Sequence, residues 1–318
     1  MTHTKVKLTH ISLKALESGH IYSYPIYYKN TNNMFKTLVS ANEKYGNEVL
    51  DTIKALKIRD AYVLTKDHNQ YETDTQEYMS KLIYDDSVSV EKKSKMLQEM
   101  AADTMNELFL GDLNTDKIER TSALLNDTIS LVFNDKSAIK AMMGVTSYDY
   151  YTYTHSVNVS IYAVGFASYL KFPQKDIHTI GMAAILHDLG KKDIPTEIVN
   201  KKGKLTDEEF TIMKNHSSYS VRILKEMGNT DALMLDIIEQ HHEKLDGSGY
   251  PYGLKADEIH FFSQIISICD IFDALTTKRS YKNALQSYDA LTIMYHNMSN
   301  ELNLKLLKKF INFMNEKV

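Results

Sequence analysis

Apolar positions recur along this chain with two periods, and the change from one to the other divides it. Up to about Lys66 the runs are short and rich in aromatic and β-branched residues, as in "KLTHISLKAL", "IYSYPIYYK", "FKTLVSA" and "DAYVLT". Such runs predict strands. Between them "NEVLDTIKALKI" carries Val49, Ile53, Leu56 and Ile58 at roughly helical spacing, so the first segment reads as a small α/β module. From Asp74 to about Val132 the period lengthens to that of amphipathic helices, with Tyr78, Leu82, Met96, Met100, Met105, Leu108 and Phe109 as expected buried positions. The Met-rich stripe is read as core. "FLGDLNTDK" is the expected break, because Gly111, Asp112, Asn114 and Thr115 offer a helix stop and a new cap.

From Tyr148 onward nearly everything reads as helix. "YYTYTHSVNVSIYAVGFASYL" places His155 on one face with Val159, Tyr162 and Phe166, the i, i+4, i+7 and i+11 rows of a helix. "DIHTIGMAAILHDLG" is expected to start with Asp176 as cap and to end at Gly190, leaving His187 and Asp188 in its last turn. "TDEEFTIMKNHSSYSVRIL" opens with a capping box from Thr206 to Glu209 and is read as one helix carrying Ile212, Met213, His216 and Ile223 along one side. "EIHFFSQIISICDIFDAL" sets Asp270 and Asp273 one turn apart on a helix that is otherwise apolar. The predicted organisation is an α/β module over residues 1–72, a helical linker over 73–140 and a helical domain over 141–318.

Composition narrows the function classes. The chain has 318 residues, with 37 basic and 41 acidic side chains and a net charge of −4. That balance argues against a surface built to hold long nucleic acid, and any anionic ligand must be met locally. One cysteine, Cys269, excludes an intrachain disulfide and suits a reducing compartment. "MTHTKVKLTH" lacks the apolar core of a leader, and no apolar run approaches a membrane span. A cytoplasmic protein is expected.

The polar residues that fall on otherwise buried rows are His155, His187, Asp188, His216, His241, His242 and Asp270. Taken singly, each is an ordinary core or surface residue. Buried charges must be paired or coordinated, and a buried imidazole needs partners for both nitrogens. As a set, five histidines and two aspartates exceed what one ion can use, and two metals sharing a carboxylate would use them all. Without thiolates the shell fits iron, manganese, zinc or nickel in an open site. Two such ions are usual equipment for hydrolysing phosphate esters, because one can generate hydroxide while both neutralise phosphorus oxygens.

"HDLGK" (residues 187–191) and "HHEKLDGSGYP" (residues 241–251), together with His155, His216 and "ISICDIFDALTTKRSYK", follow in order and spacing the HD-GYP branch of the HD phosphohydrolase superfamily. The resemblance covers about 160 residues. It implies a mainly helical HD-GYP domain preceded by the small α/β module and linking helices. It also implies a bacterial signalling enzyme that hydrolyses cyclic di-GMP by a hydroxide bridging two metals, with linear pGpG as product and a second cut to GMP as the alternative. Matched residue by residue, the ligands would be His155, His187, Asp188, His216, His241, His242 and Asp270, with Asp188 as the bridge. Lys191 would lie by the scissile phosphate, Asp149 and Tyr250 would contact substrate, and Arg279 and Lys282 would bind its phosphates or guanine. Arg279 offers a planar fork and Lys282 a point charge. Glu243 reads either as a partner that orients a histidine ring or as an exposed glutamate.

The match departs from the family in places. Tyr151 stands one turn before His155, where three-metal members carry an acid, so two metals are expected, iron first and manganese, zinc or nickel as alternatives. Ser280 replaces the proline that normally follows the substrate arginine. Lys192 and Asp193 replace smaller residues, which predicts a different charge at the pocket rim. The N-terminal region resembles the short module that precedes many HD-GYP domains and could serve sensing, homodimerisation or partner docking. Two rival readings keep the pocket: a low-turnover cyclic-dinucleotide receptor signalling through the helices between Asp74 and Val132, and a hydrolase of another cyclic dinucleotide.

Overall fold

Strand-forming runs in the first segment pair as the alternation predicts. In the computed structural model, which describes residues 7–111, 113–135, 137–144, 152–229, 231–277 and 284–317, the chain divides into two units, Met1–Ser89 and Val90–Val318. The first holds β1 (Leu8–Ile11), β2 (Ile26–Lys29), β3 (Phe35–Val39) and β4 (Ala61–Leu64), with α1 (Asn47–Leu56) and α2 (His68–Ile83). The sheet order is β1-β4-β2-β3, and all pairs are antiparallel. Register sets Ile11 beside Ala61 and Ile26 beside Val39, and all four are buried. Tyr22, Tyr24 and Tyr45 are buried with them. The Tyr24 hydroxyl donates to Asp74 at 3.1 Å, and burial pushes its pKa up. The first long helix starts at His68 rather than near Asp74.

The second unit comprises α3 (Val90–Leu110), α4 (Thr115–Asn134), α5 (Ala138–Gly144), α6 (Thr152–Tyr169), α7 (Gln174–Leu186) and α8 (Thr196–Val199). It continues with α9 (Asp207–Met213), α10 (His216–Glu226), α11 (Ala232–Glu239), α12 (Phe261–Thr276), α13 (Ser287–Asn297) and α14 (Leu304–Lys317). The expected break between α3 and α4 is present, with the Asn114 side chain accepting from the Lys117 N–H at 3.1 Å. Met96, Met105 and Leu108 are fully enclosed, whereas Tyr78, Met100 and Phe109 are half-buried.

α6 and α7 lie at the centre because they are apolar around most of their circumference. Val159, Ala163, Phe166, Ile177, Ile180, Ala183 and Ala184 are wholly enclosed. A methyl group at Gly181 would meet Leu125 and Val164 side chains at 2.8 Å, so α7 approaches α4 and α6 as closely as only glycine allows. Phe166 packs on Phe310 and Phe313 of α14, and Phe272 of α12 packs on Tyr162 and Phe310. Each such ring contributes roughly 0.5–1.5 kcal/mol beyond the area it buries. This cluster fixes α12, and with it Asp270, against α6.

Two helices differ from the sequence reading, and α7 does so at both ends: it stops at Leu186 and not at Gly190, so His187 and Asp188 follow the helix instead of lying in its last turn. α7 begins at Gln174, after an extended Pro173 whose carbonyl accepts from the Asp176 and Ile177 N–H groups, and Asp176 falls within the first turn. The helix expected through Ile212, Met213, His216 and Ile223 is two helices, with Lys214 and Asn215 between them. Ile212 is 39% exposed and His216 opens α10. The capping box at Thr206 and Glu209 is formed. Among the described residues, no helix is long and apolar enough to cross a membrane.

Candidate metal centre

Three imidazoles are aimed by the same device. A helix leaves the carbonyls of its last turn without main-chain partners, and a histidine three residues further on can use one of them. His187 Nδ1 donates to the Ala184 carbonyl at 2.6 Å, His216 Nδ1 to Met213 at 2.7 Å, and His241 Nδ1 to Ile238 at 2.6 Å. These carbonyls lie in the closing turns of α7, α9 and α11. With Nδ1 committed, each neutral ring presents the lone pair of Nε2 inward. The interruption between α9 and α10 is what frees the Met213 carbonyl.

His155 lies in the first turn of α6, with no completed helix ahead of it to offer a free closing carbonyl. Its Nδ1 donates instead to Asp273 Oδ2 at 2.7 Å. Asp273 is completely buried and also accepts from the Thr277 hydroxyl at 3.0 Å. Its part in the site was outside the sequence-derived set, although its place one turn after Asp270 on an apolar helix was the available signal.

These side chains converge. His155 Nε2 stands 3.0 Å from Asp270 and 3.7 Å from Asp188; His216 Nε2 stands 3.3 Å from Asp188 and 3.4 Å from His241 Nε2. His187 Nε2 lies 3.5 Å from Asp188, and His242 Nδ1 lies 3.9 Å from Asp270. Candidate ligand atoms fall within 4.8 Å of one another in the sets His155/His187/Asp188, His187/His241/Asp270 and His216/His241/His242. Asp188 and Asp270 thus stand among imidazoles from separate helices. His242 is the open edge, with 26% of its side chain exposed.

Charge and lone pairs show that the cluster fits cations. Burial pushes His187 and His241 below the ordinary histidine value, His216 to about 4 and His242 to about 3, so these rings are neutral at pH 7. Burial alone would raise Asp188, but positive charge beside it, first of all the Lys191 ammonium, more than offsets this and holds the carboxyl well below its usual range. Asp270 is held low in the same way, against its burial, by a hydrogen bond and charge from His155. Neutral His216 and His241 turn lone pairs toward each other, and His187 Nε2 and Asp188 Oδ1 are buried without a hydrogen-bond partner. Inward-facing acceptors and carboxylates with too few protons need positive charge between them. Nitrogen and oxygen donors without sulfur suit first-row divalent ions.

Close backbone approaches hold the frame. A methyl at Gly190 would meet the His216 carbonyl at 2.0 Å and the Ser220 N–H at 2.4 Å. The Ser220 hydroxyl accepts from the Gly190 N–H at 2.7 Å and points back to the carbonyls of His187 and His216. Two elements that carry candidate ligands are thereby tied through one side chain. Gly249 is equally enclosed, by Lys244, Glu243 and His242 backbone, and Gly247 takes a positive φ of 81°.

Glu243 fills neither role expected of it. It is 4% exposed, and its carboxylate accepts from the N–H groups of Tyr252, Gly253 and Leu254 at 2.7, 3.1 and 2.9 Å. It therefore holds the return of the loop that brings Tyr250 over His242, ring centroids 4.7 Å apart. Burial pushes the Tyr250 phenol up, so it is a hydrogen-bond donor at neutral pH. Lys191 Nζ lies 2.5 Å from Asp188 Oδ2, with 18% of its side chain exposed. Lys192 does not line the rim: its Nζ donates to the Phe109 and Gly111 carbonyls at 2.9 and 2.7 Å, at the end of α3. Asp193 pairs with Arg222. Asp149, Tyr151, Arg279, Ser280 and Lys282 lie outside the described residues.

A model of the HD domain matches residues 77–303. A cyclic di-GMP phosphodiesterase of Pseudomonas aeruginosa is 35% identical over 173 residues, covering 54% of this chain and 42% of that protein. A 3'3'-cGAMP-specific phosphodiesterase of Vibrio cholerae is 36% identical over 167 residues, covering 52% of this chain and 36% of that protein. A cyclic di-GMP phosphodiesterase of Thermotoga maritima is 42% identical over 137 residues, covering 42% and 37%. The chain spans less than half the length of these curated relatives. A solved HDG"Y"P protein from Bdellovibrio bacteriovorus superposes with a TM-score of 0.73 at 19% identity, over 97% of this chain and 100% of that one, which speaks for the fold.

Proposed function

The chain belongs to the HD domain family, and from that premise we propose that it is a metal-dependent phosphodiesterase acting on cyclic dinucleotides, cyclic di-GMP first. The observation that carries this reading is the inward convergence of neutral imidazole lone pairs on buried carboxylates, open at one edge. His155, His187, Asp188, His216, His241, His242 and Asp270 would hold two divalent ions, iron or manganese before zinc or nickel, with Asp188 shared. Bound there, the ions would supply a nucleophile at neutral pH and neutralise charge on the phosphoryl oxygens.

The chain's own groups do the rest. Asp188 stays ionised and anchors Lys191, whose partly exposed side chain would offer its ammonium as a point charge to a phosphate oxygen. Tyr250, held over His242 by the loop that Glu243 ties, offers a phenol proton and a ring face to a nucleotide. Asp149, Arg279 and Lys282 would complete the substrate contacts. Relatives with different cyclic dinucleotides in their names make both nucleotides the first to try.

The test combines elemental analysis of anaerobically purified protein with product analysis on cyclic di-GMP and 3'3'-cGAMP. Wild type is expected to carry metal and to release a linear dinucleotide, whereas His187→Ala and Asp188→Ala should lose both metal and turnover. Full hydrolysis by a metal-free variant, or tight binding with the nucleotide recovered intact, would reject the proposal.

A further inference from the structure

The turn that follows the His187–Asp188 pair, Leu189–Asp193, is a 3-10 helix, in which successive side chains point about 120° apart. Lys191 and Lys192 therefore leave it in different directions. Lys191 reaches Asp188. Lys192 reaches away from the site to the closing turn of α3, where its ammonium meets the carbonyls of Leu108, Phe109 and Gly111 at 3.5, 2.9 and 2.7 Å. The Leu108 and Phe109 carbonyls belong to the last turn of α3, which lacks onward helical partners and carries the negative end of the helix dipole, and the Gly111 carbonyl follows directly after it. An ammonium with three donors is the complement of such an end.

The other fastenings of this turn point elsewhere. Gly190 is tied to Ser220 and Asp193 to Arg222, both on α10. Lys192 makes a polar link from the turn to the end of α3. The turn is short: the Lys191 N–H bonds the Asp188 carbonyl at 2.9 Å, and the Ile194 N–H bonds the Lys191 carbonyl at 3.2 Å. Such a turn transmits a displacement of one residue to the next with little slack.

We propose that Lys192 is a positioning residue: by gripping the end of α3 it fixes the turn from which Lys191 meets Asp188, so the placement of the Lys191 ammonium depends on α3. Its kinetic consequence rests on the phosphodiesterase reading; its structural consequence does not. Lys192→Met keeps the aliphatic stem and removes the ammonium. It should lower kcat by about 10- to 100-fold, as expected for a reacting group displaced by about an ångström, with KM within about twofold of wild type. Metal content should be unchanged, since no proposed ligand is touched. Lys192→Arg, which can still donate to several carbonyls, should recover most of the lost kcat.

Amide hydrogen exchange on the whole chain supplies the second readout. In Lys192→Met the Lys191 and Ile194 amides should exchange at least about tenfold faster, while the amides of α10 keep their protection. If the Met variant does not fold, Lys192→Gln, which retains a donor, takes its place with the same expectations at smaller size. Unchanged kcat with unchanged exchange overturns the proposal. So does a kcat loss that Lys192→Arg fails to recover, or one accompanied by loss of metal. Should wild type hydrolyse no cyclic dinucleotide, the phosphodiesterase reading fails, and the exchange comparison still decides whether Lys192 holds the turn.

Discussion

Asp273→Asn separates orientation of a ligand from ligation itself. Asp273 touches His155 Nδ1 at 2.7 Å and stands behind the proposed ligand shell. Replacing its carboxylate by an amide keeps the shape and an acceptor oxygen but removes the charge. A hydrogen bond to an ionised acceptor contributes about 1.5–3 kcal/mol and a neutral one about 0.5–1.5, so the change costs roughly 1–1.5 kcal/mol of His155 orientation and basicity. At 1.4 kcal/mol per tenfold, metal affinity should fall about five- to tenfold, near the lower end of what loss of a ligand's supporting partner usually costs. The metal-free protein should lose less than the affinity does, because the weakened His155 bond is partly offset by removal of a fully buried charge one turn from the Asp270 carboxylate. The assay is competition with a calibrated chelator for affinity, alongside urea unfolding of the stripped protein. Unaltered affinity, or an affinity loss matched by an equal loss of apo stability, would refute the reasoning.

Two further outcomes follow from one buried and one half-buried carboxylate away from the proposed ligands. Glu243→Gln turns an acceptor of three N–H groups into a group that presents its own N–H to at least one of them, so denaturant unfolding should show a loss of about 2–3 kcal/mol. An unchanged midpoint would mean the loop is held otherwise. Asp127 on α4 is pushed up to about 6 by burial and has a carboxylate oxygen without a hydrogen-bond partner. Its folded value lies above its unfolded one, so the stability it allows is fully present below about pH 4 and is lost as pH rises through about 6. Asp127→Asn should therefore gain on wild type between pH 4 and pH 7, by about 1 kcal/mol once partial exposure is allowed for; a constant difference across that range would contradict this.

Much of the architecture was legible because it rests on local chemistry. Asn114 caps α4 and Thr206 with Glu209 caps α9, since a side chain at a helix start is judged by its neighbours alone. The burial of His155 with Val159, Tyr162 and Phe166 was legible from helical rows, as was the gathering of polar side chains from separate helices. What escaped depends on contacts distant in sequence. The division between α9 and α10 exists where the Gly190 backbone presses on His216, which no pattern within that stretch reports. Lys192 reads as a charge at a rim until the end of α3 is placed beside it. Glu243 reads two ways until the loop folds back and offers it three N–H groups. Asp273 becomes intelligible only after asking which histidine lacks a free carbonyl.

The carbonyl-aimed rings set different tolerances for different kinds of mutation. Because main chain orients His187, His216 and His241, no neighbouring side-chain replacement can turn them. An inserted or deleted residue in the turn ahead of any of them would swing its ring by about 100° and break the three-residue spacing at once. His155 has the opposite character: its partner is a replaceable side chain, so that corner can be retuned by substitution while the other three stay aimed.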